Sequence, residues 1–340
     1  MVRLTAATFI FLSLAVICSA RAQDSIPAFP GAEGWGANCP GGRGGQVIHV
    51  TNLNNSGPGS LSEALNTPGP RIVVFDTSGV IQGDINFNQG NVTVLGQTAP
   101  SPGITINGML STSWDSTGEA RYEDIVMRFI RCRPNRRATI TEWADAMQFG
   151  HGYRAILDHM TFSWASDETL DIFSTKFVTV QWCTIEESDT KGHAEGSHAY
   201  GMISGPDGGP TSIHHNLFAH HQRRCPAVAN GLSDIRNNVV FDFRDGFLHD
   251  NPPNAETFNI VGNFWKSGRS SSQVYPFCFM DGGNYYLKDN YIESVPLFTG
   301  MIQDPWAEKD SLPGLQSYAN RGQKAELPAV VPQVTTHTPD

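Results

Sequence analysis

The stretches "TSIHHNLFA" (211–219), "SDIRNNVVF" (233–241), "TFNIVGNFW" (257–265) and "NYYLKDNYI" (284–292) repeat one phrase. A short apolar alternation leads to a polar pair, and a second alternation follows. Asn216, Asn238, Asn263 and Asn290 fall at equivalent places, 22, 25 and 27 residues apart. The phrase extends upstream through "VTVQWCTIE" (178–186) and "AILDHMTFS" (155–163), with earlier versions at "IVMRFIRCR" (125–133) and "VTVLGQTAP" (92–100). A period of this size marks a stack of similar units. Each unit reads as two short strands joined at a bend, and asparagine tolerates the left-handed backbone that a bend requires. A propeller blade would need four strands and a longer period. The spacing therefore predicts an all-β chain wound as a right-handed parallel β-helix, a single-stranded solenoid with one unit per rung.

A solenoid needs its open end covered. "GSLSEALN" (59–66) is the one helix-like segment. Ser60 as N-cap and Glu63 three residues on form a capping box, so this segment is expected to cap the N-terminal end. The first residues, "MVRLTAATFIFLSLAVICSARAQ", carry Arg3, an apolar run from Ala6 to Cys18 and then Ala20-Arg21-Ala22. That is the layout of a secretory signal peptide, and the apolar run is too short for a membrane span. The expected organisation is a signal peptide over 1–22, the β-helix over 23–305 and a Pro/Thr-rich tail over 306–340 that drapes over the stack or is disordered. The product is expected to be secreted, extracellular, monomeric and not bound to a membrane.

The 340 residues carry a formal net charge of -10, which argues against a nucleic-acid partner. Glycine, at 34 residues, points to many turns. Beyond Cys18, the chain has Cys39, Cys132, Cys183, Cys225 and Cys278, an odd set without CxxC spacing. They read as buried small side chains with at most one or two bridges.

Asp145 lies in "TEWADAMQF", and Asp167 follows 22 residues later in "SDETLDI", which also holds Asp171. If one rung takes about 22 residues, Asp145 and Asp167 are vertical neighbours. Asp171, four residues beyond Asp167 on an extended segment, points to the same face. Glu142 and Glu168 need not share that face. Three carboxylates together suit a hard cation such as calcium. With no His or Cys beside them in sequence, zinc and copper are disfavoured. The plainer alternative is three solvated aspartates on turns. Two rungs further on, Arg223 and Arg224 in "HHQRRCP" reach toward the same groove or form a solvated basic pair. Arg131, Arg133, Arg136 and Arg137 stand upstream, placed to clamp anionic sugars or to neutralise nearby acids.

Taken in order, "AFPGAEGWGANCPGGRGGQVIHVTNLNNSGPGSL", "GPRIVVFDTSGVI", "VTVLGQTAPSPGITI", "ILDHMTFSWASDETLDI" and "SIHHNLFAHHQRRCP" resemble pectate lyases of polysaccharide lyase family 1, from Phe29 to about Tyr291. The resemblance implies that Asp145, Asp167 and Asp171 hold Ca2+ and that Arg224 stands in the position of the catalytic base. It implies β-elimination of α-1,4-linked galacturonan, the polygalacturonate or pectin of plant cell walls, to 4,5-unsaturated oligogalacturonides. The chain departs from the family pattern at Ala227 and Ala229, where further arginine is usual. It departs again around "HAEGSHAYGMISG", where a substrate-binding lysine is usual and Lys191 is displaced. Arg223, His198 and Tyr200 are expected to bind substrate instead. With fewer cations the substrate extends to methylated pectin or another uronate polymer. Two other readings are a glycoside hydrolase, which would pair two of the carboxylates as acid and base, and a non-catalytic carbohydrate-binding β-solenoid.

Overall fold

The fold was analysed in a computed structural model, which describes residues 26–113, 122–134, 144–250, 256–270, 274–295, 298–302, 304–308 and 321–339. The expected signal peptide, Glu142, Arg136 and Arg137 lie outside these residues. Within them the chain winds into three long sheets of eleven, ten and eight strands. One coil shows the pattern. Lys176–Gln181 belongs to the first sheet, Thr184–Glu186 to the second and Tyr200–Ser204 to the third, and Thr211–His214 begins the next coil. Neighbouring coils pair in parallel throughout, except where Phe298–Ile302 folds back antiparallel on Asn290–Val295.

The unit is thus three strands, not the two read from sequence. The strand that escaped notice belongs to the third sheet, whose members vary from two residues in Met147–Gln148 to five in Tyr200–Ser204. The turn leading to it also varies, with one residue between Phe243 and Asp245 and thirteen between Glu186 and Tyr200, so no fixed spacing marks it.

The bend between the first two sheets is where the asparagines sit. Asn216, Asn238, Asn263 and Asn290 are all buried. The side-chain oxygen of Asn238 accepts from Asn216 N at 3.0 Å, that of Asn263 from Asn238 N at 3.0 Å, and that of Asn290 from Asn263 N at 3.1 Å. Each amide group also donates inward, as Asn238 Nδ2 does to Ile213 O at 2.8 Å. The ladder satisfies buried backbone donors that the turn removes from the sheets.

Inside, like side chains stack from coil to coil. Phe162, Ile185, Phe218, Val240, Trp265 and Ile292 form one column, none more than 3% exposed. The helix Leu61–Asn66 closes the N-terminal end over this core, burying Leu61, Ala64 and Leu65. Glu63 N donates to Ser60 Oγ at 3.2 Å, and Glu63 Oε2 accepts from Gly59 N at 2.7 Å. Arg71, fully buried, anchors the cap by donating to the carbonyls of Ala64, Leu65, Gly69, Gln89 and Gly90. Burial pulls its guanidinium down to about 10.

Both ends of the described chain lie along the outer face of the first sheet. Trp35 N bonds Ser212 Oγ, Gly36 N bonds Thr179 Oγ1 and Gly42 N bonds Thr93 Oγ1, so this segment crosses successive coils toward the cap. A Cβ on Gly36 would stand 2.1 Å from Ala155 O, which makes glycine a steric requirement there. From the other end, Ala325 bonds Tyr285, Ala329 bonds Asn259 and His337 bonds Asn237. The two segments meet where Thr335 N donates to Glu33 Oε2 at 2.8 Å and Gly34 N to Gln333 O at 3.3 Å. Within the expected tail, residues 325–337 therefore lie over the stack.

The five cysteines are buried thiols, with no disulfide among the described residues. No helix among those residues is long and apolar enough to cross a membrane.

Candidate functional site

The third sheet and the long turns that lead into it carry the chemistry. Met147 faces Leu170 and Gln148 faces Asp171, an offset of 23 residues. That offset brings Asp145 opposite Glu168 rather than Asp167, one place away from the spacing expected from sequence. Glu168 N donates to Asp145 Oδ1 at 3.1 Å. Oxygens of Asp145, Asp167 and Glu168 all lie within 4.8 Å of one another. Asp171 is outside that 4.8 Å grouping but close enough to act on both Asp145 and Asp167. It is held by Gln148 and the Phe173 backbone, and its Oδ1 is buried without a hydrogen-bond partner among the described residues. The structure therefore gathers two of the three predicted ligands, Asp145 and Asp167, and adds Glu168.

Burial sets the electrostatics. Asp145, Asp167 and Glu168 are 2%, 3% and 6% exposed, so they are not three solvated aspartates. Asp145 is pushed well above the usual carboxylate range by burial first, then by Asp171 and Asp167, with Arg224 opposing. Asp171 rises to about 7, again chiefly by burial. Such crowding is costly unless protons or a cation settle it.

Arg224 supplies part of that charge. Tyr200 bridges to Arg223, and Ile203 pairs with Ala227, so residues 224–226 oppose only residues 201 and 202. This bulge redirects the chain, and Arg224 takes a left-handed φ of 64° at a cost of about 1 kcal/mol. Its guanidinium pairs with Glu168 and lies 4.3 Å over the Tyr200 ring. Burial lowers its pKa, while Asp250, Asp167 and Asp145 push back up. Arg223 turns the other way, its Nε donating to Asp245 Oδ2 at 2.9 Å.

His198 and Tyr200 continue the arrangement. The rings of His193 and His198 stack at 3.5 Å, and those of His198 and Tyr200 at 4.6 Å. With Arg224 they form one column beside the carboxylates. His198 Nδ1 meets Asp167 Oδ1 at 2.7 Å. The expectation that no histidine stands beside the carboxylates is therefore overturned, because the turn at 193–198 folds both rings over Asp167.

Asp167, His193 and His198 are a second group of possible ligands within 4.8 Å of one another, but the hydrogen bonds of the two rings disfavour a transition metal there. Glu195 N donates to His193 Nδ1 at 3.1 Å, so the neutral ring keeps its proton on Nε2, the atom 3.6 Å from Asp167 Oδ2. His198 Nδ1 is likewise committed to Asp167. The available donors are mostly carboxylate oxygens, and calcium–oxygen distances of about 2.3–2.6 Å span a trio of this size. Asp145, Asp167 and Glu168 fit a hard divalent cation.

The remaining basic residues are accounted for differently. Arg131 donates to Thr105 Oγ1 and Pro102 O, away from the trio. Arg133 lies 3.7 Å from Glu186 and 5.3 Å from the Trp164 ring, neutralising an acid. Lys191 is exposed on its turn. Ala227 and Ala229 are buried, at 0% and 3% exposure, and supply no cation to the groove. Sequence reasoning missed Glu168 and His193. A one-residue error in register hid the first, and nothing in the local sequence distinguishes His193 from its neighbours in "KGHAEGSH".

Comparison with known proteins relates the chain to named enzymes. Over 295 residues the chain is 36% identical to probable pectate lyase C of Aspergillus flavus, covering 86% of this chain and 65% of the relative. It is 37% identical over 289 residues to that of Aspergillus fumigatus, covering 83% and 64%. The chain is a relative of the pectate lyases. It spans about 65% of the length of the Aspergillus flavus relative. Among solved structures, a thermostable pectate lyase superposes with a TM-score of 0.60 at 13% identity, covering 92% of this chain and 94% of that one. A pectate lyase from Bacillus sp. N165, solved with trigalacturonate, gives 0.50 at 14% identity over 86% and 98%. These likenesses bear on the fold, the right-handed parallel β-helix of pectate lyases. No family model matches the chain.

Proposed function

We propose that this chain is a secreted, calcium-dependent pectate lyase that cleaves α-1,4-linked galacturonan by β-elimination, leaving 4,5-unsaturated oligogalacturonides. The observation that carries the reading is the buried Asp145–Asp167–Glu168 trio with Arg224 set against it, in a chain related to pectate lyases. Asp145, Asp167 and Glu168 would hold the ion, with Asp171 close enough to be felt by both aspartates. Calcium, when bound, neutralises the uronate carboxylate and makes the neighbouring C5 proton more acidic. Arg224 is the residue assigned to that proton. Elimination removes the proton from C5, forms the C4–C5 double bond and breaks the bond from C4 to the glycosidic oxygen. A guanidinium is rarely neutral in proteins, and burial is the one local influence that lowers its pKa here. Arg223, beside it on the outer face, offers its free edge to a uronate carboxylate while Asp245 fixes its Nε. Tyr200 and His198 present ring edges along the same column.

The two buried alanines remove cations that grip fully charged pectate, which supports a substrate range reaching partly methylated pectin or another uronate polymer. They also support a second reading, a non-catalytic carbohydrate-binding solenoid. The glycoside hydrolase reading loses its basis, because the carboxylates are buried and shared within one trio rather than set across a cleft. The test is turnover on polygalacturonate, citrus pectin and ulvan, each with and without calcium, followed by ultraviolet absorbance of the unsaturated ends. Calcium-dependent absorbance on one of these polymers is the expected result. Binding without turnover on all three would favour the carbohydrate-binding solenoid.

A further inference from the structure

We infer that Arg224 is the resident counter-ion of the carboxylate trio, and that a divalent cation competes with its guanidinium for Glu168. The inference rests on the calcium reading above and adds a regulatory property to the same site. Glu168 belongs to two groupings at once. Its carboxylate is within 4.8 Å of Asp145 and Asp167, and it is the ion-pair partner of Arg224. The two side chains are 8% and 21% exposed, so water screens their attraction little. A carboxylate bonded to a guanidinium presents fewer lone pairs and less net charge to a metal, so the two cations exclude one another.

Arg224 is also built to let go. Its Nε has no hydrogen-bond partner among the described residues. The guanidinium is held by Glu168 on one side and by the Tyr200 face on the other. Its backbone sits in the bulge, outside the regular register of the sheet. The Arg224 carbonyl accepts from Met202 N at 2.7 Å, and release of the guanidinium from Glu168 moves the side chain without breaking that bond. An ion entering the trio displaces the guanidinium toward the groove, where an anionic sugar becomes its next partner. In the metal-free chain Arg224 offsets part of the trio's charge, and metal occupancy and arginine availability are one event.

The test is calcium titration calorimetry on the full chain without substrate, comparing wild type with Arg224→Gln, Arg224→Lys and Tyr200→Leu. Arg224→Gln removes the competing charge and is expected to bind calcium at least fivefold more tightly. Arg224→Lys keeps the charge and stays within about twofold of wild type. Tyr200→Leu removes the ring that helps hold the guanidinium in place. A cation–π contact worth about 0.5–1 kcal/mol corresponds to a two- to fivefold tightening, which keeps the test informative if Arg224→Gln does not fold. Equal or weaker calcium binding in Arg224→Gln, or in Tyr200→Leu when Arg224→Gln is unfolded, overturns the competition and leaves the calcium reading standing. No calcium heat in any of the four proteins overturns both.

Discussion

Replacing Asn238 with alanine tests what holds the coils in register. Asn238 is 1% exposed and makes four side-chain bonds. Its Oδ1 accepts from Asn216 N and Asn216 Nδ2, each at 3.0 Å. Its Nδ2 donates to Ile213 O at 2.8 Å and to Asn263 Oδ1 at 3.0 Å. Alanine removes all four. Asn216 Nδ2 keeps Val180 O, and Asn263 Oδ1 keeps the Asn238 backbone, but Asn216 N–H loses its acceptor in a buried turn. An unsatisfied buried donor costs about 1–3 kcal/mol and each net bond lost about 1 kcal/mol. The expected destabilisation is about 3–4 kcal/mol. Asn290, at the end of the series, makes three such bonds, accepting from Asn263 N and Asn263 Nδ2 and donating to Ile260 O. Asn290→Ala should therefore cost about 1 kcal/mol less. Urea denaturation followed by tryptophan fluorescence measures both, with the midpoint shift read at a common slope. A double-mutant cycle between Asn238 and Asn263 should show coupling of about 0.5 kcal/mol or more. A cost below about 1 kcal/mol for Asn238→Ala, or no coupling, would refute the ladder as a source of stability.

Arg71→Met should destabilise by about 3 kcal/mol or more, because five carbonyls, those of Ala64 and Leu65 buried, lose their shared donor; the same denaturation assay checks it. His221, held neutral by burial with its pKa lowered to about 4, gives a pH signature. The unfolded ring takes up a proton below its ordinary value of about 6.5 while the folded ring does not. The wild-type advantage over His221→Gln should therefore be constant above pH ~7 and shrink by about 1.4 kcal/mol per unit between roughly pH 6.5 and 4. Cys39, raised to about 12 by burial, and the other four buried thiols should resist a thiol reagent in the native state and react together in urea. In calcium titrations, Asp145→Asn and Asp167→Asn should weaken binding more than Asp171→Asn does, and the reverse order would restore the trio read from sequence.

The coil repeat was legible because asparagine does something no substitute does. Its side chain accepts from the backbone N–H of its counterpart on the preceding coil, while the left-handed bend expected of it is taken by the residue before it, His215, Asn237, Gly262 or Asp289, so the 22-, 25- and 27-residue spacings are the physical repeat. The cap was legible for a similar reason, since Ser60 and Glu63 satisfy a local backbone requirement. The site was read only in part. Asp145 and Asp167 came together because any offset near one coil brings them close. Choosing between Asp171 and Glu168 needed the register to the residue, and turn lengths that vary from coil to coil conceal it. The fold of the turn over Asp167 depends on long-range contacts, and so does the burial of Ala227 and Ala229.

The meeting of the two end segments at Glu33 and Thr335 has a mechanical consequence. Coils that touch only their neighbours can peel away one at a time from either extremity. Here each extremity is laced back across coils it does not adjoin and fastened near mid-length. Outermost turns cannot unwind until that knotless fastening opens, and opening it bares the first sheet along most of its length. Loss of the fastening and loss of the barrel should therefore coincide, making this long repetitive scaffold melt as one unit.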